Sequence, residues 1–531
     1  MAHLSEKFRL AFARPASTDD EPDWVVLDLR GSYPTHAPGS ALAAAFQREE
    51  TFQQLTDRLD RLAGAGWLTG VLVRVGELKV GLATARAIGA ALGRLAEHTR
   101  VVGYLPQVSM RSLLVTARLA EVLAPESAEV MLPGFAAEQV FLGAFLAKHG
   151  IGFENLRIRE YKSALTRFSE DHMDSYEREQ LSAYIDSAER TWLDDVGAES
   201  ASVFDAAPAC AADLLSAGLI TRVAYDDEIV TVADHSWART IELLLPDLTR
   251  KQRQRKADGV AVVPVIGAIV SGRSRPAPPV PLIPGPLAGA DTVVSTIRRA
   301  ERDENTAAIV LYVDSPGGSA LASDLIDRAV ARCRKPVVAV MGEVAASGGY
   351  YVLARADHVV ASPFTLTGSI GVVAGKPVLT GFNETHGLNP ETVGRELALF
   401  NSPHRPFSEA ERAWAETMMA QVYDRFVDRV ATGRDMTPAQ VDEIGRGRIW
   451  SGQAALEGGL VDELGDVRDG VAAARRLAGL RADAPVRGVS GGFSLPGMPT
   501  LGKGAGATVE NLWPFGSEKV LTWFDRPVRI R

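Results

Sequence analysis

The sequence predicts an α/β protein made of two tandem domains of mainly parallel sheet, related by an internal duplication. Three observations carry this expectation. Short β-branched runs alternate with longer helical patterns, long stretches recur at a nearly constant offset, and 531 residues are too many for one ordinary core.

VVLDLR, GVLVRV and RVVGYL are strand-like in the first half; GVAVVPVIGAIV, AAIVLYVD, PVVAVMG and DHVVAS are strand-like in the second. Helical stretches such as TFQQLTDRLDRLAGAG and LASDLIDRAVARC lie between them. Strand–helix–strand order implies right-handed crossovers and parallel pairing.

The repeat is read by laying one half on the other. LLVTARLAEVLAPE (113–126) falls on YYVLARADHVVASP (350–363), matching Val115 to Val352, Arg118 to Arg355 and Val122 to Val359 at an offset of 237. Upstream, VLVRVGELKVGLATARAI (71–88) falls on IVLYVDSPGGSALASDLI (309–326) at 238. Downstream, AADLLSAGLITRV (211–223) falls on GQAALEGGLVDEL (452–464) at 241. Three ordered matches make a duplication. They set a first domain over 1–246, a basic linker over 247–258, a second domain over 259–480 and a Gly- and aromatic-rich tail over 481–531. The run SGRSRPAPPVPLIPGPLAGA (271–290) reads as an extended surface loop, a substrate rim or a ligand for a proline-reading module. The tail can pack on a neighbour, touch a membrane or be partly disordered.

Composition narrows the function. A net charge of −9 argues against a nucleic-acid binder. Cys210 and Cys333 cannot build a disulfide framework and read as buried small hydrophobes. No apolar run is long enough to span a bilayer; GVAVVPVIGAIV (259–270) reads as a buried strand. The first residues lack the apolar core of a signal peptide. Leu4, Phe8, Ala11 and Phe12 share one helical face beside Lys7, Arg9 and Arg14, which suits a short membrane-surface helix or one docked on its own protein. The chain is therefore expected to be membrane-associated or cytoplasmic.

Two turns in the second half carry chemistry. DSPGGSA (314–320) follows a strand and opens a helix, and Gly317 and Gly318 let the backbone approach a ligand. Its N–H groups suit an oxyanion hole, although a plain strand–helix turn looks the same. It lacks a nucleotide-binding spacing. AASGG (345–349) follows the next strand. Ser347 there is a nucleophile candidate or a helix N-cap, Gly348 can complete an oxyanion pair with Gly318, and Gly349 leaves further room. A nucleophilic serine needs a base. His358 lies in a strand-like run, and His386 and His404 have no motif around them. Lys162, in LRIREYKSALTRFSED, sits where a strand gives way to a helix. An amine serves as base if burial lowers its pKa, but a lone lysine is ordinarily a surface charge.

The ordered set EYKSA, DSPGGSA, GEVAASGGYYVLARADHVVASPFTLTGSIGV and WSGQAALEGGLVDELG resembles the long form of the signal peptide peptidase A family, over about residues 40–475. The resemblance implies two tandem ClpP/crotonase-like domains, a bowl-shaped homo-tetramer and a Ser–Lys peptidase. It implies Ser347 as nucleophile, Lys162 as general base and Ser369 as the residue that positions the amine. Gly318 and Gly348 are implied as oxyanion donors, with Gly317 and Gly349 beside the substrate. No metal or cofactor is implied. Substrates would be hydrophobic peptides such as remnant signal peptides. Long-form members often carry an N-terminal membrane anchor, which is not visible here, so membrane contact would be peripheral.

The repeat agrees with one shared site. Met110 stands where Ser347 would be, GELKV (76–80) stands where DSPGG would be, and Lys162 falls opposite Glu396, Leu397 or Ala398. Each half lacks what the other keeps. Two rivals are a crotonase-type acyl-CoA enzyme and a non-catalytic oligomeric scaffold at a membrane.

Overall fold

The computed structural model describes residues 23–35, 49–66, 68–198, 200–205, 208, 210–229, 257–275, 285–489, 521–523 and 529–530. The expected N-terminal amphipathic helix, linker residues 247–256, the centre of the proline-rich run and tail residues 490–520 lie outside them.

The first half holds β1 (Asp23–Gly31), β2 (Leu68–Leu78), β3 (Arg100–Tyr104), β4 (Gln107–Ser109), β5 (Glu121–Ala124) and β6 (Glu129–Met131). It continues with β7 (Ala137–Glu138), β8 (Gly152–Arg157) and β9 (Arg222–Val223). The second half holds β10 (Gly259–Ile266), β11 (Ala268–Val270), β12 (Leu287–Gly289), β13 (Thr306–Ser315), β14 (Gly317–Ser319) and β15 (Val337–Ala346). Then follow β16 (His358–Ala361), β17 (Leu366–Gly368), β18 (Val373–Val378), β19 (Ile449–Ser451) and β20 (Glu463–Leu464). Last come β21 (Val486–Gly488), β22 (Leu521–Trp523) and β23 (Arg529–Ile530).

Contacts divide the chain into two compact units, one of residues 1–134 with 189–256 and one of 135–188 with 257–531. The second junction falls at the expected linker. Residues 135–188, from the first half of the sequence, fold with the second half. The reason is a strand: β8 pairs antiparallel with β18 along its whole length, from Gly152↔Val378 to Arg157↔Val373.

In the first unit, five parallel strands run in the order β1-β2-β3-β5-β9. Leu29, Val71, Leu72, Val73 and Val75 are fully buried, as strands covered on both faces require. The helix Phe52–Ala63 buries Phe52, Leu55, Leu59 and Leu62, spaced three or four apart on one face. Thr51 and Gln54 cap its start reciprocally.

The second unit repeats this plan and extends it. Its main sheet runs β19-β17-β15-β13-β10-β21, with β16 joining β15 and β20 joining β16. All pairs are parallel except β17 with β19. Equivalent elements keep the offsets of the sequence repeat. β3 and β15 open at Arg100 and Val337, β5 and β16 at Glu121 and His358, and the helices that precede β3 and β15 at Leu82 and Ala320. Even the short ladder of β4 with β6, ending Ser109↔Met131, matches that of β15 with β17, ending Ala346↔Gly368. GVAVVPVIGAIV is buried as expected except at Pro264 and Ile266, as β10 and β11 broken at Gly267. The cysteines differ from expectation, because Cys210 is exposed and Cys333 only half-buried.

A second sheet, β12-β11-β14-β22-β18-β8, stands at the ends of these strands. The strands described in the tail all pair within the chain, β21 in the main sheet, β22 in the second and β23 with β7.

The copies have diverged where their helices meet. In the second, Asp327 is fully buried and accepts two hydrogen bonds from Arg355, with Arg429 3.4 Å away. In the first, Arg118 matches Arg355 but Gly89 matches Asp327, where a side chain would strike the Leu114 carbonyl at 2.3 Å. Arg355→Met should strand the Asp327 charge and lower stability by about 3 kcal/mol, read as a shifted urea midpoint.

Candidate active site

The site grows from the ends of two paired strands. Ala346 of β15 sits opposite Gly368 of β17, so the next residues, Ser347 and Ser369, emerge side by side. Both take backbone angles that side chains disfavour, φ 57° at Ser347 and 52° at Ser369. Such strain persists only where the surroundings over-determine it. Here the Ser347 N–H donates to Gly368 O at 2.8 Å, and the Ser369 N–H donates to Arg448 O at 2.6 Å. Thr367 Oγ1 ties the two strands further by donating to Ala345 O at 2.7 Å.

Lys162 arrives from the other side. After β8, the Ile158 N–H donates to Val372 O at 3.0 Å, and the chain turns sharply at Arg159 (φ 64°). The Tyr161 N–H donates to Arg446 O at 3.2 Å. Gln180, buried on the helix Ser175–Val196, grips both neighbours of Lys162. Its Nε2 donates to Tyr161 O at 3.1 Å and Ser163 Oγ at 3.2 Å, while its Oε1 accepts from the Ile449 N–H at 3.0 Å. Gly447 (φ 83°) lies flat on Lys162, where a Cβ would stand 2.6 Å from the lysine N and Cβ.

The structure brings three predicted side chains together. Lys162 Nζ lies 2.7 Å from Ser347 Oγ, 2.8 Å from Ser369 Oγ and 2.8 Å from Ser369 O. Lys162 is 1% exposed and both serines 0%. Burial alone holds the Lys162 amine well below the usual lysine range, and no carboxylate partners it among the described residues. A neutral amine has two hydrogens and one lone pair. With the hydrogens on Ser369 O and Oγ, the lone pair faces Ser347 Oγ. The histidines are occupied elsewhere. His358 Nε2 lies 2.8 Å from Glu463, His386 Nδ1 2.8 Å from Phe382 O, and His404 Nδ1 3.1 Å from Asn383.

The predicted glycines lie alongside. Gly318 (φ 154°) abuts β11, where a Cβ would strike Ile269 O at 2.0 Å. Gly317 (φ 92°) donates its N–H to Ser315 Oγ at 3.1 Å. Gly348 opens the short helix Gly348–Tyr351, which packs against β14. Its N–H therefore lies among those that a helix leaves free of internal partners. Packing accounts for Gly349, where a Cβ would stand 2.4 Å from Ser315 O.

Sequence reasoning missed Gln180 and the loop 445–448. The doubled glycine of GRGR marks a turn, but nothing in the sequence ties that turn to Lys162.

A buried serine beside a buried amine, at the ends of parallel strands in a duplicated α/β scaffold, fits a serine protease of the Clp-like fold. The Clp protease family model matches residues 288–365, which include both glycine turns. The model of peptidase family S49 matches residues 95–236 and 329–481, more than half of the sequence, and the chain belongs to that family. It is 29% identical over 525 residues to the chloroplastic serine protease SPPA of Arabidopsis thaliana, covering 95% of this chain and 76% of that one. It is 33% identical over 383 residues to Protease 4 of Salmonella typhi, covering 68% of this chain and 60% of that one. A solved ClpP1 mutant from Listeria monocytogenes aligns with a TM-score of 0.27 and 17% identity over 42% of this chain and 99% of its own, a likeness too partial to build on. The protein is a serine protease.

Gly447→Ala tests the clamp on Lys162. It should lower kcat/KM by about 10- to 100-fold through displaced reacting groups, with the thermal melt still cooperative.

Proposed function

We propose that the chain is an endopeptidase that uses a Ser347–Lys162 dyad to hydrolyse hydrophobic peptides such as remnant signal peptides. The observation that supports this most is the 2.7 Å approach of Lys162 Nζ to Ser347 Oγ in a pocket that excludes water from both. Lys162, neutral through burial, takes the Ser347 proton as Oγ attacks a peptide carbonyl. Ser369 orients the amine. The oxyanion is held by the N–H groups of Gly318 and Gly348. Lys162 returns the proton to the leaving amine, and water then releases the acyl group by the same route in reverse. Gly317 and Gly349 shape the backbone around the substrate. An acyl-CoA enzyme or a scaffold would give the buried amine no task.

Among the described residues, no helix is long and apolar enough to cross a membrane. Homo-oligomeric assembly and peripheral membrane contact belong to this proposal through the family resemblance.

Assay of a fluorogenic apolar peptide tests the dyad. Ser347→Ala and Lys162→Ala should each lose about three or more orders of magnitude in kcat while keeping the wild-type circular dichroism spectrum. An active Lys162→Ala enzyme would overturn the reading.

The buried amine also sets two pH dependences. Activity needs the neutral form, so kcat/KM should rise with pH along a limb lying well below 10.5. Between the lowered native pKa and the ordinary unfolded one, the unfolded chain binds more protons, so stability rises with pH there. Lys162→Met should raise Tm at neutral pH, and its advantage should shrink toward pH 10.

A further inference from the structure

The second sheet contains a strand that its neighbours in sequence do not supply. β22 lies between β14 and β18, antiparallel to both. Its register against β14 is Gly317↔Trp523, Gly318↔Thr522 and Ser319↔Leu521, which is the glycine turn of the site. It also packs against the helix Gly348–Tyr351, which follows Ser347 directly. Leu521 is 2% exposed and joins an apolar cluster with Ala164, Leu165, Val270, Leu287 and Val373. Ala164 and Leu165 come two and three residues after Lys162, so the cluster and the dyad share a wall. Further on, β23 pairs with β7, so the C-terminal segment engages this unit twice.

Without β22, β14 and β18 would each present an unpaired backbone edge to one gap beside Ser347. Such paired edges accept an extended peptide by strand addition, with pockets for alternate side chains. We propose that residues 521–523 are an internal occupant of the peptide cleft. The chain's own C-terminal segment holds the place of a substrate's extended backbone, Leu521 fills the pocket for a substrate's apolar side chain, and cleavage of other peptides requires the segment to leave. This rests on the reading of Ser347 and Lys162 as the reacting pair.

A chain ending at residue 515 should show a KM for a fluorogenic apolar peptide lowered about fivefold or more, with kcat little changed, because an occupant in cis reduces the fraction of open sites. Leu521→Asp in the full chain should move KM the same way without deletion. A synthetic peptide of residues 516–528, added in trans, should inhibit the shortened enzyme competitively, and its Leu521→Asp version should not. The same peptide, fluorescein-labelled, should bind the shortened chain carrying Ser347→Ala, read by anisotropy. That readout needs no turnover, so it stands even if the dyad reading fails in the activity assay. Unchanged KM in both variants, or no saturable binding of the labelled peptide, would overturn the proposal.

Discussion

Stripping water from an ammonium group is costly, and the second unit is arranged around that cost. Lys162 ends in a pocket where, among the described residues, no carboxylate offsets a charge, so the amine is driven toward its neutral form. A neutral amine still needs partners for its hydrogens. Ser369 supplies two acceptors to one nitrogen, with its backbone at φ 52°. That angle is held in turn by the loop 445–448, which also carries the contacts that seat residues 161 and 162. Gln180 closes the circle by joining the lysine segment to β19. The clamp is therefore an account of where buried polar groups find partners as much as an account of chemistry.

The two copies show what the strain is for. At the position of Ser347 the first copy has Met110 at the start of an ordinary helix, Met110–Thr116. Ser109 takes an extended angle and caps that helix reciprocally with Ser112. The left-handed residue has gone, and with it the hydroxyl that meets Lys162. The same ladder leads into both turns, so the difference lies in the turn and not in the scaffold.

Much of this was legible in the sequence. Alternating strand and helix patterns and the repeat implied a mainly parallel sheet in each unit, because strand–helix–strand order largely dictates right-handed parallel βαβ connections. Ser347 and Lys162 became a pair through the repeat and the family resemblance together. Other features were hidden for physical reasons. β8 reads GFENLR, with little apolar alternation, and its partner lies more than two hundred residues away, so its place in the second sheet left no local mark. Gly447 matters through contact with a residue far off in sequence. β22 is three residues long, and its surroundings in the chain read as a Gly-rich tail. The cysteines were misjudged because a small apolar side chain says little about depth.

The division of the site between distant segments also bears on biosynthesis. Residues 135–188 leave the ribosome long before β18 and the AASGG turn exist. At about 5–20 residues per second, translation from Lys162 to Val378 takes roughly 10–40 s. Through that interval β8 has no strand to pair with, and Lys162 has no pocket to shed its proton into. A nascent chain that stops before β18 therefore lacks the pocket around Lys162, and the contact of Lys162 with Ser347 is fully seated only after residues 445–448 have been made.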